Sequence, residues 1–292
     1  MIRRMPDAPQ LQARTLLAGD DLSVLDVRCS AGPADGSPTE RHRAFVLAYV
    51  RAGSFGYRTD GVAHQLVAGG FLVGAPGQDY VCTHEHGRGD SCLSLQLSAG
   101  LVDELGGTRA GAWQVGGLAP EAELGVLGAL AQAAADGRTE VALEEAALLL
   151  VSRFLARARP RTPAWTARAL DRRRAVEIAL WMDSAAHEPL RLRELAARAG
   201  LSPFHFLRVF TRALGVTPHQ YLVGSRLRRA ARLLADPARQ VTDVAFEVGF
   251  GDLSNFVRTF RRAAGVSPRR FKRLAREERK FVQAMLAPAH AG

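Results

Sequence analysis

Two stretches decide how this chain folds: FLRVFTRALGVTPHQY (206–221) and FVRTFRRAAGVSPRRF (256–271). Arg208, Phe210, Gly215, Pro218 and Tyr221 return fifty residues later as Arg258, Phe260, Gly265, Pro268 and Phe271. Upstream the offset is 49, with Ala196 and Gly200 answered by Ala245 and Gly249, so one residue has been inserted between the two blocks. An offset held over so many positions marks two copies of one small unit.

The unit has the demands of a helix-turn-helix. Counting from Leu192, a small residue stands fifth (Ala196) and a glycine ninth (Gly200). Apolar residues stand tenth, fifteenth and eighteenth (Leu201, Phe206, Val209). The small residue lets two helices cross closely, the glycine takes the positive φ of the turn, and the apolar residues face the crossing. Ser202-Pro203 starts the second helix with an N-cap and a proline at its first position, and Asp252 is the cap in the second copy. One basic helix, QYLVGSRLRRAARLLA (220–235), joins the copies. It would hold two recognition helices at a fixed distance, and one turn of B-DNA, roughly 34 Å, would admit both into successive major grooves on one face.

Charge agrees with this reading. Residues 1–165 carry a net −3 and residues 166–292 a net +13, within a total of +10 over 292 residues. The basic half is almost entirely arginine, which suits a polyanion partner for that half alone. Hydrophobic residues make up 47% of the chain, enough for a core in each half. No apolar run approaches the 18 or so residues of a membrane span. The N-terminal MIRRMPDAPQ lacks the apolar stretch of a secretory signal, and three cysteines at uneven spacing form no disulfide framework. The expectation is a cytoplasmic protein with reduced thiols.

The first half reads differently. Over 40–97, short β-branched and aromatic runs are cut by Asp60-Gly61, Gly69-Gly70 and Pro76-Gly77, the pattern of a small β-barrel or sandwich. Helical spacing follows over 121–157, broken at Gly137. RARPRTPAW marks a linker. The fold class expected is α+β multidomain. Residues 1–157 form a sensor domain that includes a helical segment (121–157), 158–166 a linker, 167–275 an all-α domain with two helix-turn-helix motifs, and 276–292 a tail reading as a frayed helix.

VTDVAFEVGFGDLSNFVRTFRRAAGVSPRRFK (241–272) carries a resemblance. Residues 190–274 resemble the AraC/XylS family of transcriptional regulators. The resemblance implies a seven-helix DNA-binding domain that activates or represses transcription, with promoter DNA and RNA polymerase as partners and a homodimer as the assembly. Residues 40–97 are similar, less specifically, to that family's cupin-type sensor barrel, and 121–157 to its dimerisation helices. Base-facing positions then fall on Phe204, Leu207 and Arg208 in the first copy, and on Leu253, Ser254, Asn255 and Arg258 in the second. Arginine can pair with guanine and asparagine with adenine, whereas Phe204 and Leu207 offer only apolar contact, for instance to thymine methyls. Phe206, Phe210, Phe256 and Phe260 lie on the opposite face, as core. Arg226, Arg228, Arg229, Arg261, Arg262, Arg269 and Arg270 are candidate phosphate contacts, which position without specifying.

CTHEHGRGDSC (82–92) is the other stretch rich in chemistry. With GRGDS as a hairpin loop, His86 would pair with Cys92, His84 with Ser94 and Cys82 with Gln96, all pointing one way, and Leu93, Leu95 and Leu97 the other. Cys82, His84, His86 and Cys92 would then suit zinc or another transition metal. The same face could instead line a pocket for a small organic effector, hold a reversible Cys82–Cys92 disulfide that senses oxidants, or be structural. His84-Glu85-His86 supplies the His-x-His pair by which cupin barrels hold metals. A rival reading is therefore a cupin metalloenzyme, with Asp90 and His64 as further ligands. A second rival is a cysteine that accepts an alkyl group. Cys29 reads as an inert buried thiol.

Overall fold

The structure, a computed structural model, describes residues 11–275 other than 34, 36, 86–88, 107–110, 158–168 and 237. The expected linker, the tail and His86 lie outside the described residues.

The first half is an antiparallel β domain. Its strands are β1 (Leu11–Leu17), β2 (Leu22–Cys29), β3 (Thr39–Arg41), β4 (Phe45–Thr59), β5 (Val62–Val67), β6 (Phe71–Gly74), β7 (Asp79–Thr83), β8 (Asp90–Leu97) and the short β9 (Gly117–Leu118). All three turn signals fall between strands, and Asp60-Gly61, both at positive φ, closes the β4–β5 hairpin. The sheet begins earlier than expected, because β1 and β2 precede residue 40. The alternation of Leu22, Val24 and Asp26 inward with more exposed neighbours was legible in LSVLDVRC.

β4 organises the sheet. Its first half pairs with β6 and β8, and its second half with β5 and β7. A register shift between Val50 and Ala52 leaves Arg51 unpaired in the ladder with β8. Such a bulge re-aims a side chain. Here Arg51 reaches Asp26 on β2 and Gln132 Oε1, the latter at 3.0 Å. Burial alone would raise the pKa of Asp26, but the hydrogen bond and charge of Arg51 outweigh it and hold the carboxyl below its usual range.

Three helices follow: α1 (Ala99–Glu104), α2 (Ala122–Ala135) and α3 (Leu143–Arg157). Ten consecutive residues of α2, Leu124 to Ala133, are buried, so the helix is covered all round. It lies between the sheet, α3 and the second half of the chain. Gly128 leaves room for the ring of Tyr49, which a Cβ would meet at 2.7 Å. Within the segment expected to serve a second subunit, α2 is thus covered by its own chain.

The second half is helical throughout, with α4 (Ala169–Ser184), α5 (Leu192–Arg198), α6 (Pro203–Leu214), α7 (Pro218–Ala235), α8 (Val241–Glu247), α9 (Leu253–Ala264) and α10 (Pro268–Leu274). These are the seven helices that the resemblance implies. α5–α6 and α8–α9 are the two helix-turn-helix units, with Gly200 and Gly249 in the turns at φ 65° and 98°. A side chain at either would be strained.

Candidate nucleic-acid interface and effector cavity

Helix starts are what aim the two recognition helices. The Ser202 hydroxyl accepts from the His205 amide at the head of α6, with Pro203 in the first turn. The Asp252 carboxylate accepts from the Asn255 amide at 2.7 Å at the head of α9. Each cap satisfies one of the orphan amides of a first turn. Phe206, Phe210, Phe256 and Phe260 are fully buried, as expected, and turn the opposite face outward.

That outward face carries the expected positions. In α6, Phe204 is 75% exposed, Arg208 is exposed and Leu207 half-buried. In α9, Ser254, Asn255 and Arg258 are exposed and Leu253 is half-buried. Arg258 Nη2 donates to Asn255 Oδ1 at 3.4 Å, so these two polar candidates of α9 stand side by side.

The phosphate candidates divide. Arg261, Arg262, Arg269 and Arg270 are exposed. Arg228 is buried, which corrects the sequence expectation for it, whereas Arg226 and Arg229 are half-buried with partners in the protein. Arg226 donates to the carbonyls of Ala186 and Glu188 at 2.7 and 2.8 Å. Arg229 lies 3.7 Å from a Glu247 carboxylate oxygen. Arg228 is 3% exposed. Its Nη2 donates to Asp183 Oδ1 on α4 at 2.6 Å and to the Ser225 hydroxyl at 2.8 Å. Burial alone would lower its pKa, and the charge of Asp183 outweighs this, so the guanidinium stays cationic.

Arg228 also reaches the other half of the chain. A Cβ on Gly69, in the β5–β6 turn, would collide with its guanidinium, and one on Gly125 of α2 would meet its stem at 3.2 Å. Sequence reasoning could not separate this arginine from its neighbours, because RLRRAARLL presents four arginines and only the fold decides which face is buried.

The β domain holds a cavity of about 340 Å³ that opens to solvent. Its wall is mostly apolar, with Leu25, Val46, Phe55 and Leu72 among the lining residues. Into it face all three cysteines of the chain, together with His42, His84 and Asp90. The expected alternation along β8 holds: Cys92, Ser94 and Gln96 face the cavity, and Leu93, Leu95 and Leu97 are buried on the far side. The expected hairpin does not hold. β7 pairs with β3 and the second half of β4, whereas β8 pairs with β2 and the first half of β4. The strands diverge because β4 is long enough to offer each of them a different stretch of edge.

Cys82, His84 and Cys92 therefore meet across a cavity and not along a ladder. The tight group is a different one, made of Cys29, His84 and Asp90, whose ligand atoms all lie within 4.8 Å of one another. Cys29 is thus no isolated thiol. Its signal was the β2–β8 register, which sets Cys29 opposite Asp90 and cannot be read before the strands are paired. All three thiols are free, and burial pushes the pKa of each upward. Protonated thiols are poor nucleophiles, which works against the oxidant-sensing and alkyl-acceptor readings.

Comparison with known proteins identifies the helical half. Residues 195–274 match the family described as "Helix-turn-helix domain". Over 103 residues the chain is 32% identical to the probable transcriptional regulator LumQ of Photobacterium leiognathi, covering 35% of this chain and 42% of LumQ. Over 93 residues it is 36% identical to the transcriptional activator RhaS of Klebsiella pneumoniae, covering 32% of this chain and 34% of RhaS. The DNA-binding domain of the transcriptional factor AdpA, solved with a target DNA, is 34% identical, covering 34% of this chain and 89% of that one, with a TM-score of 0.32. The second half is a double helix-turn-helix DNA-binding domain. That half is similar to the corresponding part of proteins named as transcription regulators. The chain spans well under half the length of these curated relatives. No helix among the described residues is long and apolar enough to cross a membrane.

Proposed function

We propose that this chain is a one-component transcription regulator. A cupin-like β-barrel takes up an effector in its cavity, and α6 and α9 enter successive major grooves of a promoter. Phe204, Leu207 and Arg208 face bases from the first helix, and Leu253, Ser254, Asn255 and Arg258 from the second. The observation that carries the reading is the pair of capped helices with matching outward faces in a half of the chain, 166–292, of net charge +13. RNA polymerase and a second copy of the chain are the further partners. Because α2 is covered, a dimer would meet over the outward side of α3, where Glu144, Ala156 and Arg157 are exposed.

The effector acts by population shift. It changes promoter occupancy only if it binds more tightly to one arrangement of the two halves than to another. Arg228 is the means, since it is anchored in the helical half and buried against Gly69 and Gly125 of the sensor half. Movement of the β5–β6 turn would disturb a half-buried ion pair and, through it, α7, which joins the two helix-turn-helix units. The effector class that the cavity's donors favour is a transition metal ion, with an organic molecule as the second candidate for a largely apolar wall.

The test is fluorescence anisotropy of the purified chain on random-sequence duplex DNA at 50 and 200 mM salt. Neutralising six to ten phosphates predicts an affinity loss of about 10³–10⁵-fold between these salts. Affinity that stays flat would remove the DNA reading.

A further inference from the structure

We infer that Cys29, His84 and Asp90 form a binding site for one zinc-class divalent ion inside the sensor cavity. The inference rests on the regulator reading only in naming what that cavity senses. The site differs from the one the sequence suggested, since Cys29 and Asp90 enter it and Cys82 does not.

Three features build it. First, the donors are a thiol, an imidazole and a carboxyl, the three side-chain types that zinc accepts. Second, they are held by separate strands in fixed register. Cys29 ends β2, Asp90 opens β8 directly opposite, and His84 follows β7. The backbone is pressed together here, for a Cβ on Gly89 would strike the Cys29 carbonyl and one on Gly53 would strike the Gly89 carbonyl. Third, the side chains of His84 and Asp90 are 8% and 7% exposed, with Nε2 2.8 Å from Oδ2.

The spacing suits an ion. Tetrahedral zinc at 2.0–2.3 Å from each donor sets donors about 3.3–3.8 Å apart. The three atoms here lie within 4.8 Å of one another, about an ångström wider than such a site needs. On binding, the Cys29 thiol gives its proton to solvent and the ion replaces the His84–Asp90 hydrogen bond. Cys92, whose thiol points at Asp90 Oδ1 from 3.5 Å, stands nearest as a fourth donor, and a water would otherwise fill that position. Cys82 lines the cavity but is outside the group.

Cobalt(II) titration of the full chain under reducing, oxygen-free conditions tests this. Cobalt reports its ligands, because a bound thiolate gives a near-ultraviolet charge-transfer band and a tetrahedral site gives strong visible bands. The expected result is one equivalent bound with both signatures, displaced by zinc. Cys29→Ser and Asp90→Asn should each weaken binding at least tenfold, with the sulfur band much reduced in Cys29→Ser, whereas Cys82→Ala should bind as the unaltered chain does. Circular dichroism of each variant confirms its fold, and the two substitutions on different strands guard against a single misfolded one. No uptake by the unaltered chain overturns the site, as does uptake that both variants retain or that Cys82→Ala abolishes. Duplex DNA binding by the metal-free chain is measured alongside. If DNA binds and metal does not, only the metal site falls. If DNA does not bind, the regulator reading falls independently.

Discussion

The two helix-turn-helix copies share a sequence pattern but not a setting. The first copy packs into a core of its own, built from α4, α5, α6 and the start of α7, which meets the β domain at Val67 and at partly buried Ala119. The second copy has no separate core. Phe256, Phe260 and Phe271 join Leu227 and Leu234 of α7, the buried face of α2, and Tyr49 and Leu95 of the sheet in one continuous cluster. Duplication thus produced one copy with a core of its own that also touches β4 and β5, and another whose core is continuous with α2 and the sheet. Cooperative units follow contiguous packing, so the second copy should open together with the sensor and the first should open alone.

The largest effect should come from cutting a ring out of each core. Phe210→Ala and Phe260→Ala should each cost about 3–5 kcal/mol. Hydrogen exchange would separate them. Phe210→Ala should raise exchange in α4–α6, whereas Phe260→Ala should raise it in α9, α2 and the strands beneath. Equal spread in both variants would erase the distinction between the copies.

Arg228→Met should cost less, about 2 kcal/mol. Breaking a fully buried pair costs about 3–5 kcal/mol, but Asp183 is partly exposed and can rehydrate. Urea denaturation measures the loss, and adding Asp183→Asn should recover part of it, because the two residues share one interaction. Full additivity would mean that the pair is not coupled.

On DNA the copies should also differ. Arg258→Ala would remove the base contact proposed for α9 and should cost about 1–3 kcal/mol, roughly 5–150-fold in affinity, with relaxed preference at one base pair. Leu207→Ala should cost less than Arg258→Ala and leave base preference nearly unchanged, because an apolar contact carries little information. Anisotropy on a duplex with each position varied in turn measures both.

A further effect is one of pH. Burial pushes the His42 pKa down to about 4 and also lowers that of His64. His42 stacks on Tyr80 of β7, bonds the Tyr57 hydroxyl of β4 at 2.9 Å, and feels Glu40 of β3. Unfolded histidine takes up a proton near pH 6.5, while the folded form does not until about pH 4. The stabilisation is therefore fully present above about pH 6.5, falls as pH drops through that value, and levels off near 4. His42→Gln should flatten the slope of thermal stability between pH 6.5 and 4. The fused second copy should follow the slope, and the first copy should follow it less.

What could be read in advance tracks the range of the interaction. The caps at Ser202 and Asp252, the turn glycines and the buried phenylalanines are local, set by residues a few positions apart, and the structure shows them as the sequence implies. The parity of β8 is local too. The mispaired β7–β8 hairpin was not legible, because its error lay in a partner, β4, some thirty residues away. The same gap hid Cys29 from His84 and Arg228 from Gly69. Each is a contact between distant segments, and no helical or strand period records which arginine of four or which of three thiols will meet a partner.

The decisive measurement is selection of binding sites from randomised duplex DNA, followed by hydroxyl-radical footprinting of the selected site. Two readers fixed on one helix predict two protected blocks on one face of the duplex, centred about 10–10.5 base pairs apart. Phe204→Ala/Arg208→Ala should erase one block, and Asn255→Ala/Arg258→Ala the other. No enriched sequence, or a single block that both double variants leave intact, would contradict a protein that reads promoters with α6 and α9 together.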